Sequence, residues 1–304
     1  MSRACTSLRY CYMLAALLAA SGAQAATAMQ TQIASQVDTA CKISMSRALA
    51  VFRPKLAAYP DIRDKEDIIT IVPWLEMNAR AQVDSMQIVI NQGLCSQIWL
   101  LSIAFAVCEQ WPTQRRNLLK YIQYLRAIVE PPARRGMVFV ELEILTFPLW
   151  AHVDMASWSP QEQVRVSGIV NMLMNEALAF VVAHEIGHIA LRHNAQNNKI
   201  SRANEYAADK FALDLVEKTG YSFIGAIPTL LAFISDEELS KQYREGSHPP
   251  AACRLRALLL RSKELQKTLK DPAGQAEIEL NLGMSAKALR KMLNTSEAEC
   301  AEQT

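Results

Sequence analysis

The residues best equipped for chemistry lie in one stretch, AHEIGHIALRH, residues 183–193. In a helix His184 and His188 stand one turn apart and project from the same face, so both imidazoles reach a single ion. Glu185 lies beside that face, offset so that it meets a metal-bound water instead of the metal. Two ligands and a proton-transferring carboxylate make the chemistry hydrolysis by a zinc-activated water. The competing reading is a core helix that happens to carry two histidines. Val181, Val182, Ile186, Ile189 and Ala190 make this segment apolar nearly all round. An unpaired glutamate and two imidazoles buried there cost several kcal/mol, whereas a metal and a water satisfy all three.

A tetrahedral catalytic site needs a third protein ligand. The metzincin pattern places glycine three residues and histidine six residues after the second ligand, and here those positions hold Leu191 and Asn194. That class is excluded. His193 lies about 140° round the helix from His188, so it is expected to point elsewhere, as a surface group or one behind the ligands. The better candidate lies in NEYAAD, residues 204–209. Glu205 and Asp209 share a helix face, so that the first can bind zinc while the second accepts a hydrogen bond from a ligand imidazole and fixes its tautomer.

HEIGH, then Glu205 to Asp209, then SHPPAACR (residues 247–254) resembles the gluzincin peptidases of the HtpX-like and CAAX prenyl protease family, which includes soluble periplasmic members. The likeness covers roughly residues 165–260. It implies one zinc ion on His184, His188 and Glu205, with Glu185 as general base and acid and Asp209 bonded to a ligand. It also implies that His248 and Arg254 stand near the metal and stabilise the transition state, and that His248 can cap the metal at rest. The phage-exclusion type of peptidase shares HExxH but works in the cytoplasm, and the export signal described below argues against it.

The elements that must position these residues read as mainly helical, because Ala, Leu, Met, Gln and Glu recur while Gly, Pro and aromatics are modest. The expected architecture is a zincin-like peptidase domain over residues 136–260 with a small edge strand or sheet. An N-terminal helical region (26–135) precedes it and a C-terminal helical tail (261–304) follows. Residues 30–58 predict a helix ending near Pro54, and a second helical region is expected from near Pro73. Leu94 to Trp111 predicts a buried helix, and EPPARRG, residues 130–136, ends the helix after it. Met137 to Leu145 is the strand candidate. Ser159-Pro160-Gln161-Glu162 is a capping box with proline at the first helical position. The helix it opens is expected to run to Asn194, with a break near Gly168. Ser201 is expected to cap a helix over Arg202 to Lys218, closed by Gly220.

Residues 1–25 read as an export signal. Arg3 and Arg9 precede an apolar stretch, Tyr10 to Ala20, that is too short to span a bilayer, and Ala23-Gln24-Ala25 is a small-residue cleavage site. Cleavage would deliver a periplasmic or secreted chain, the alternative being an uncut membrane anchor. It removes two arginines and no acid, taking the formal net charge from +2 to zero. Nothing suggests nucleic acid: at helical spacing Arg115, Arg116, Lys120 and Arg126 with Tyr121 and Tyr124 read as a solvated face in preference to a binding groove. Cys41, Cys95, Cys108, Cys253 and Cys300 remain, an odd set that allows at most two disulfides. Cys95 and Cys108, about 20 Å apart along one helix, cannot pair.

These readings favour an exported zinc endopeptidase acting on proteins or peptides in envelope protein quality control, a setting compatible with a membrane-proximal partner. A zincin-like chaperone or docking module with a latent metal site is the alternative from a different class. A membrane peptidase spanning at residues 94–111 is the third.

Overall fold

A computed structural model describes residues 23–133, 135–137, 144–194, 196–222, 227, 230, 249, 251–261 and 300. Helix α1 (Ala23–Phe52) opens the chain and passes into a single 3-10 turn, Arg53–Lys55, that takes up Pro54. A short α2 (Pro60–Arg63) follows. Three short strands come next, β1 (Ile69–Val72), β2 (Ala79–Gln82) and β3 (Gln87–Asn91). β3 is central, parallel to β1 and antiparallel to β2, with Ile69 opposite Ile88 and Ala81 opposite Ile88 on its other side. The helical region expected from Pro73 is therefore corrected: residues 79–82 and 87–91 are strands, and helix resumes only at Gln92. β3 gives the core Ile88 and Ile90, and Ile69 and Ile71 of β1 with Ala79 and Ala81 of β2 pack against it.

β3 runs directly into α3 (Gln92–Gln110), followed by α4 (Arg115–Ala133) and α5 (Phe147–Trp150). Gly93 lets the first turn of α3 press on the preceding loop. Its N–H donates to Trp74 O at 2.9 Å, and a Cβ there would collide with the Leu75 carbonyl. α3 is buried along nearly its whole length, as its composition predicts. Gln92–Gln110 and Pro160–Ala190 are both long and apolar enough to cross a membrane, and both lie mostly inside the protein. Of the predicted strand from Met137 to Leu145, residues 138–143 lie outside the described set, as do residues 1–22 of the export signal, His248 and residues 262–299 of the tail.

α6 (Pro160–Ala190) is the axis of the fold, with α7 (Asn198–Thr219), α3 and α1 packed against it. The predicted capping box is present: Glu162 N–H donates to Ser159 Oγ at 3.3 Å, and Ser159 N–H donates to Glu162 Oε2 at 2.8 Å. The expected break at Gly168 does not occur. That glycine faces open space between the exposed Val164 and Met172, where no packing requires the chain to bend. α6 ends at Ala190, short of Asn194. α7 starts earlier than expected because Asn197, not Ser201, is its cap, its Oδ1 accepting from Ile200 N–H at 2.9 Å. Gly220 closes it at φ 78°, the left-handed conformation that glycine adopts freely. One hydrophobic core runs from Val37 on α1 to Leu258 on α8 (Ala251–Arg261), so the segments either side of residue 136 share it.

Candidate metal centre

The site forms where α6 crosses α7. Gly187, one turn after His184, has no side chain to hold the helices apart. A Cβ there would stand 3.1 Å from Phe211 Cβ and 3.2 Å from the Cα and O of Ala208. Ala208 lies between Glu205 and Asp209, so the contact that brings the backbones together also brings both histidines of α6 to both acids of α7. His184, Glu185, Glu205 and Asp209 are all buried.

His184 Nε2 and His188 Nε2 are 3.1 Å apart. Glu205 lies across both, its Oε2 3.4 Å from His184 Nε2 and its Oε1 3.4 Å from His188 Nε2. These three residues form a group that could hold a metal ion. Donors about 2.0–2.1 Å from a tetrahedral metal are about 3.4 Å from one another, close to these three separations, of which the two to Glu205 run to different carboxylate oxygens. The chemistry agrees: two imidazole nitrogens and one carboxylate oxygen leave a fourth position open.

Charge points the same way. Three buried carboxylates, Glu185, Glu205 and Asp209, surround one guanidinium, Arg254. Carboxylates gathered and buried together favour a positive charge between them. The same demand shows in His184. Burial pushes its imidazole down, but hydrogen bonding and charge from Asp209 and Glu205 overcome this and push it up to about 10, so the position attracts positive charge. Glu205 is held well below the usual carboxylate range: against burial, Arg254 and the two histidines all favour its charged form. Asp209 is held down to about 2, again against burial, chiefly by Arg254. Burial pushes Glu185 up, which the nearby histidines only partly offset. A carboxylate that binds protons more readily is suited to proton transfer.

Asp209 stands beside His184, with Oδ1 2.9 Å from His184 Nδ1. The approach is short but off the axis of a good hydrogen bond. Phe180, one turn before His184, stacks on its ring at 6.5 Å. Arg254, on α8, spends its fork on Asp209 through Nε at 2.8 Å and Nη2 at 2.7 Å, and its Nη1 lies 3.2 Å from Glu205 Oε2. These contacts make it a brace for the two acids of α7, a different task from the oxyanion donation that the resemblance implies. His193 does not point away from the site: of its two expected places it takes the one behind the ligands, against His188, with the two Nδ1 atoms 2.9 Å apart. Burial, then the neighbouring His188, pushes it down to about 4. The fourth neighbour expected at the metal, His248, lies outside the described residues.

A mainly helical fold carrying a buried His-His-Glu group beside a further buried glutamate defines a protein with a metal-competent centre. The chain belongs to the Peptidase U49 family, whose sequence model matches residues 88–268, from β3 through α8. It is therefore a member of a peptidase family, and that match is not to the HtpX-like and CAAX prenyl protease group. Searches of curated proteins and of solved structures find no match.

Proposed function

We propose that this chain is a zinc-dependent endopeptidase of gluzincin type, exported from the cytoplasm and acting on protein or peptide substrates. The observation that carries the reading is the convergence of His184 Nε2 and His188 Nε2, 3.1 Å apart, on the Glu205 carboxylate, each 3.4 Å from one of its oxygens. Zinc held there would supply Lewis acidity, polarising the scissile carbonyl and making a water a better nucleophile near neutral pH. The chain's own groups do the rest. Glu185 takes the proton as water attacks and returns it to the leaving amine, so that no charge is left on either product at cleavage. Asp209 orients His184, and Arg254 keeps Asp209 and Glu205 ionised and in place. His248 is assigned to the transition state by resemblance alone.

Export is supported by two cysteine pairs, Cys41–Cys95 and Cys253–Cys300, since disulfides persist in oxidising compartments. The test is zinc stoichiometry of the purified chain lacking residues 1–25, with hydrolysis of an unstructured protein followed before and after chelation. We expect one zinc per chain, chelator-sensitive cleavage, and no cleavage by Glu185→Gln with zinc retained. Zinc bound without any cleavage by the wild type would replace this reading with a docking or chaperone module. Cleavage by metal-loaded Glu185→Gln would overturn the mechanism.

A further inference from the structure

α6 ends in a turn whose function is not explained by helix termination alone. Arg192 has φ 51°, a left-handed conformation that a residue with a Cβ adopts rarely. Its N–H donates to Ile189 O at 3.1 Å, and His193 N–H donates to His188 O at 3.0 Å. This is the Schellman pattern, which folds the second residue past the helix back onto the residue a turn inside it. Ordinarily an apolar contact accompanies that return. Here the two residues are histidines, their rings 4.9 Å apart and nearly perpendicular at 80°. Continued helix would have carried His193 about 140° away; the left-handed residue brings it back.

Two ring nitrogens 2.9 Å apart must share one proton, one donating and one accepting. The direction follows from the other nitrogen of His188, which faces His184 and Glu205. When Nε2 gives its lone pair to a metal, the neutral ring keeps its proton on Nδ1 and donates it to the bare Nδ1 of His193. We propose that His193 is a positioning residue for the ligand His188: it accepts from Nδ1, fixes the tautomer that leaves Nε2 free, and locks the ring's rotation. The two histidine ligands are thus held differently, His184 by the anionic Asp209 and His188 by a neutral imidazole. His193 touches no substrate and acts only through His188. The proposal rests on the metal-binding reading above.

The test is zinc affinity, measured by competition with a chromophoric chelator, on the full chain lacking residues 1–25. His193→Phe keeps a ring but offers no acceptor, and should bind zinc about 10- to 100-fold more weakly. His193→Asn places an amide oxygen near the Nδ1 position and should recover most of the affinity. Arg192→Val, which keeps His193 but disfavours the left-handed turn, should weaken binding, and Arg192→Gly should not. Melting of the metal-stripped variants separates a folding defect from a ligand defect. Wild-type affinity in His193→Phe, or equal losses in His193→Phe and His193→Asn with both folded, would overturn the proposal. A wild-type chain that takes up no zinc would overturn the metal-binding reading as well, whereas zinc uptake that ignores these substitutions sinks this inference alone.

Discussion

Gly187 meets Ala208 across the α6–α7 crossing so closely that a Cβ on the glycine would stand 3.2 Å from the Ala208 backbone. Neither residue is a ligand, yet the distance between His188 and Glu205 depends on their contact. Gly187→Leu should force the helices apart, at a cost of about 1–3 kcal/mol for overpacking. It should also enlarge the donor triangle beyond what one ion can span. We expect loss of zinc stoichiometry together with a lower melting temperature. A variant that melts lower but keeps full zinc affinity would show that the ligands are positioned independently of the crossing.

Arg254 faces two buried carboxylates with its whole fork, so removing it takes away the guanidinium that both Asp209 and Glu205 face. Arg254→Met should destabilise the metal-free chain by about 3 kcal/mol or more, the scale for breaking a buried ion pair. Arg254→Lys should recover only part of this, because an ammonium cannot grip a carboxylate through two parallel bonds. Urea unfolding of chelator-treated protein measures both. Unchanged stability with reduced turnover would instead restore the oxyanion role expected from resemblance.

The candidate metal face is legible because its signal is local: one helical turn fixes the relation of His184 to His188, and a second fixes Glu205 to Asp209. Their meeting was legible only as a likelihood of spacing, since the crossing that joins them depends on Gly187 and Ala208, whose roles appear only in three dimensions. A small strand or sheet is expected from the sequence and a three-stranded sheet is present, but its place at residues 69–91 is not legible, because its strands are four or five residues long and β2, ARAQ, carries no β-branched or aromatic residue. Its fate is set by hydrogen bonding to β3. The return of His193 onto His188 is hidden for a different reason. Helix geometry was extended through Arg192, and nothing at that position, neither glycine nor asparagine, announces a left-handed residue. The start of α7 lies four residues before the expected one because Ser201 and Asn197 are both competent caps, and only the hydrogen bond to Ile200 decides between them.

The cysteine pairing gives a prediction that needs no metal. Cys41–Cys95 ties α1 to α3 and Cys253–Cys300 ties the helix bearing Arg254 to the end of the chain, leaving Cys108 as a free, buried thiol. Burial pushes that thiol up to about 12, so at pH 8 it carries almost no thiolate and no solvent path. The oxidised chain lacking residues 1–25 should show no thiol reactive to a disulfide reagent while folded, and one per chain in denaturant. Cys41→Ala with Cys95→Ala should lower stability by about 2–4 kcal/mol, as expected for opening a loop of this class. A fast-reacting thiol in the native protein would contradict the pairing.

Glu176 supplies a pH dependence away from the metal. It lies on α6 two turns before His184, half-buried, and burial pushes its carboxyl up to about 7. The sign follows from linkage. In the unfolded chain the group ionises near its ordinary value of 4.5, whereas in the folded chain it holds its proton to about 7. Below both values the two states bind the proton equally and the group contributes nothing to pH dependence. As pH rises between them the unfolded state loses its proton first, so stability falls, and above the folded value the full penalty is in place. Since the side chain keeps some contact with water, the loss should be about 1–2 kcal/mol, less than the shift alone implies. Glu176→Gln cannot ionise and should remove this loss: the variant should match the wild type near pH 4.5 and exceed it by that amount at pH 8. Denaturant unfolding of both chains across this range, with chelator present to silence the metal site, makes the comparison. A constant stability difference from pH 4.5 to 8 would mean that Glu176 ionises alike in the folded and unfolded chain, and that the helix face around it is wetter than its burial indicates.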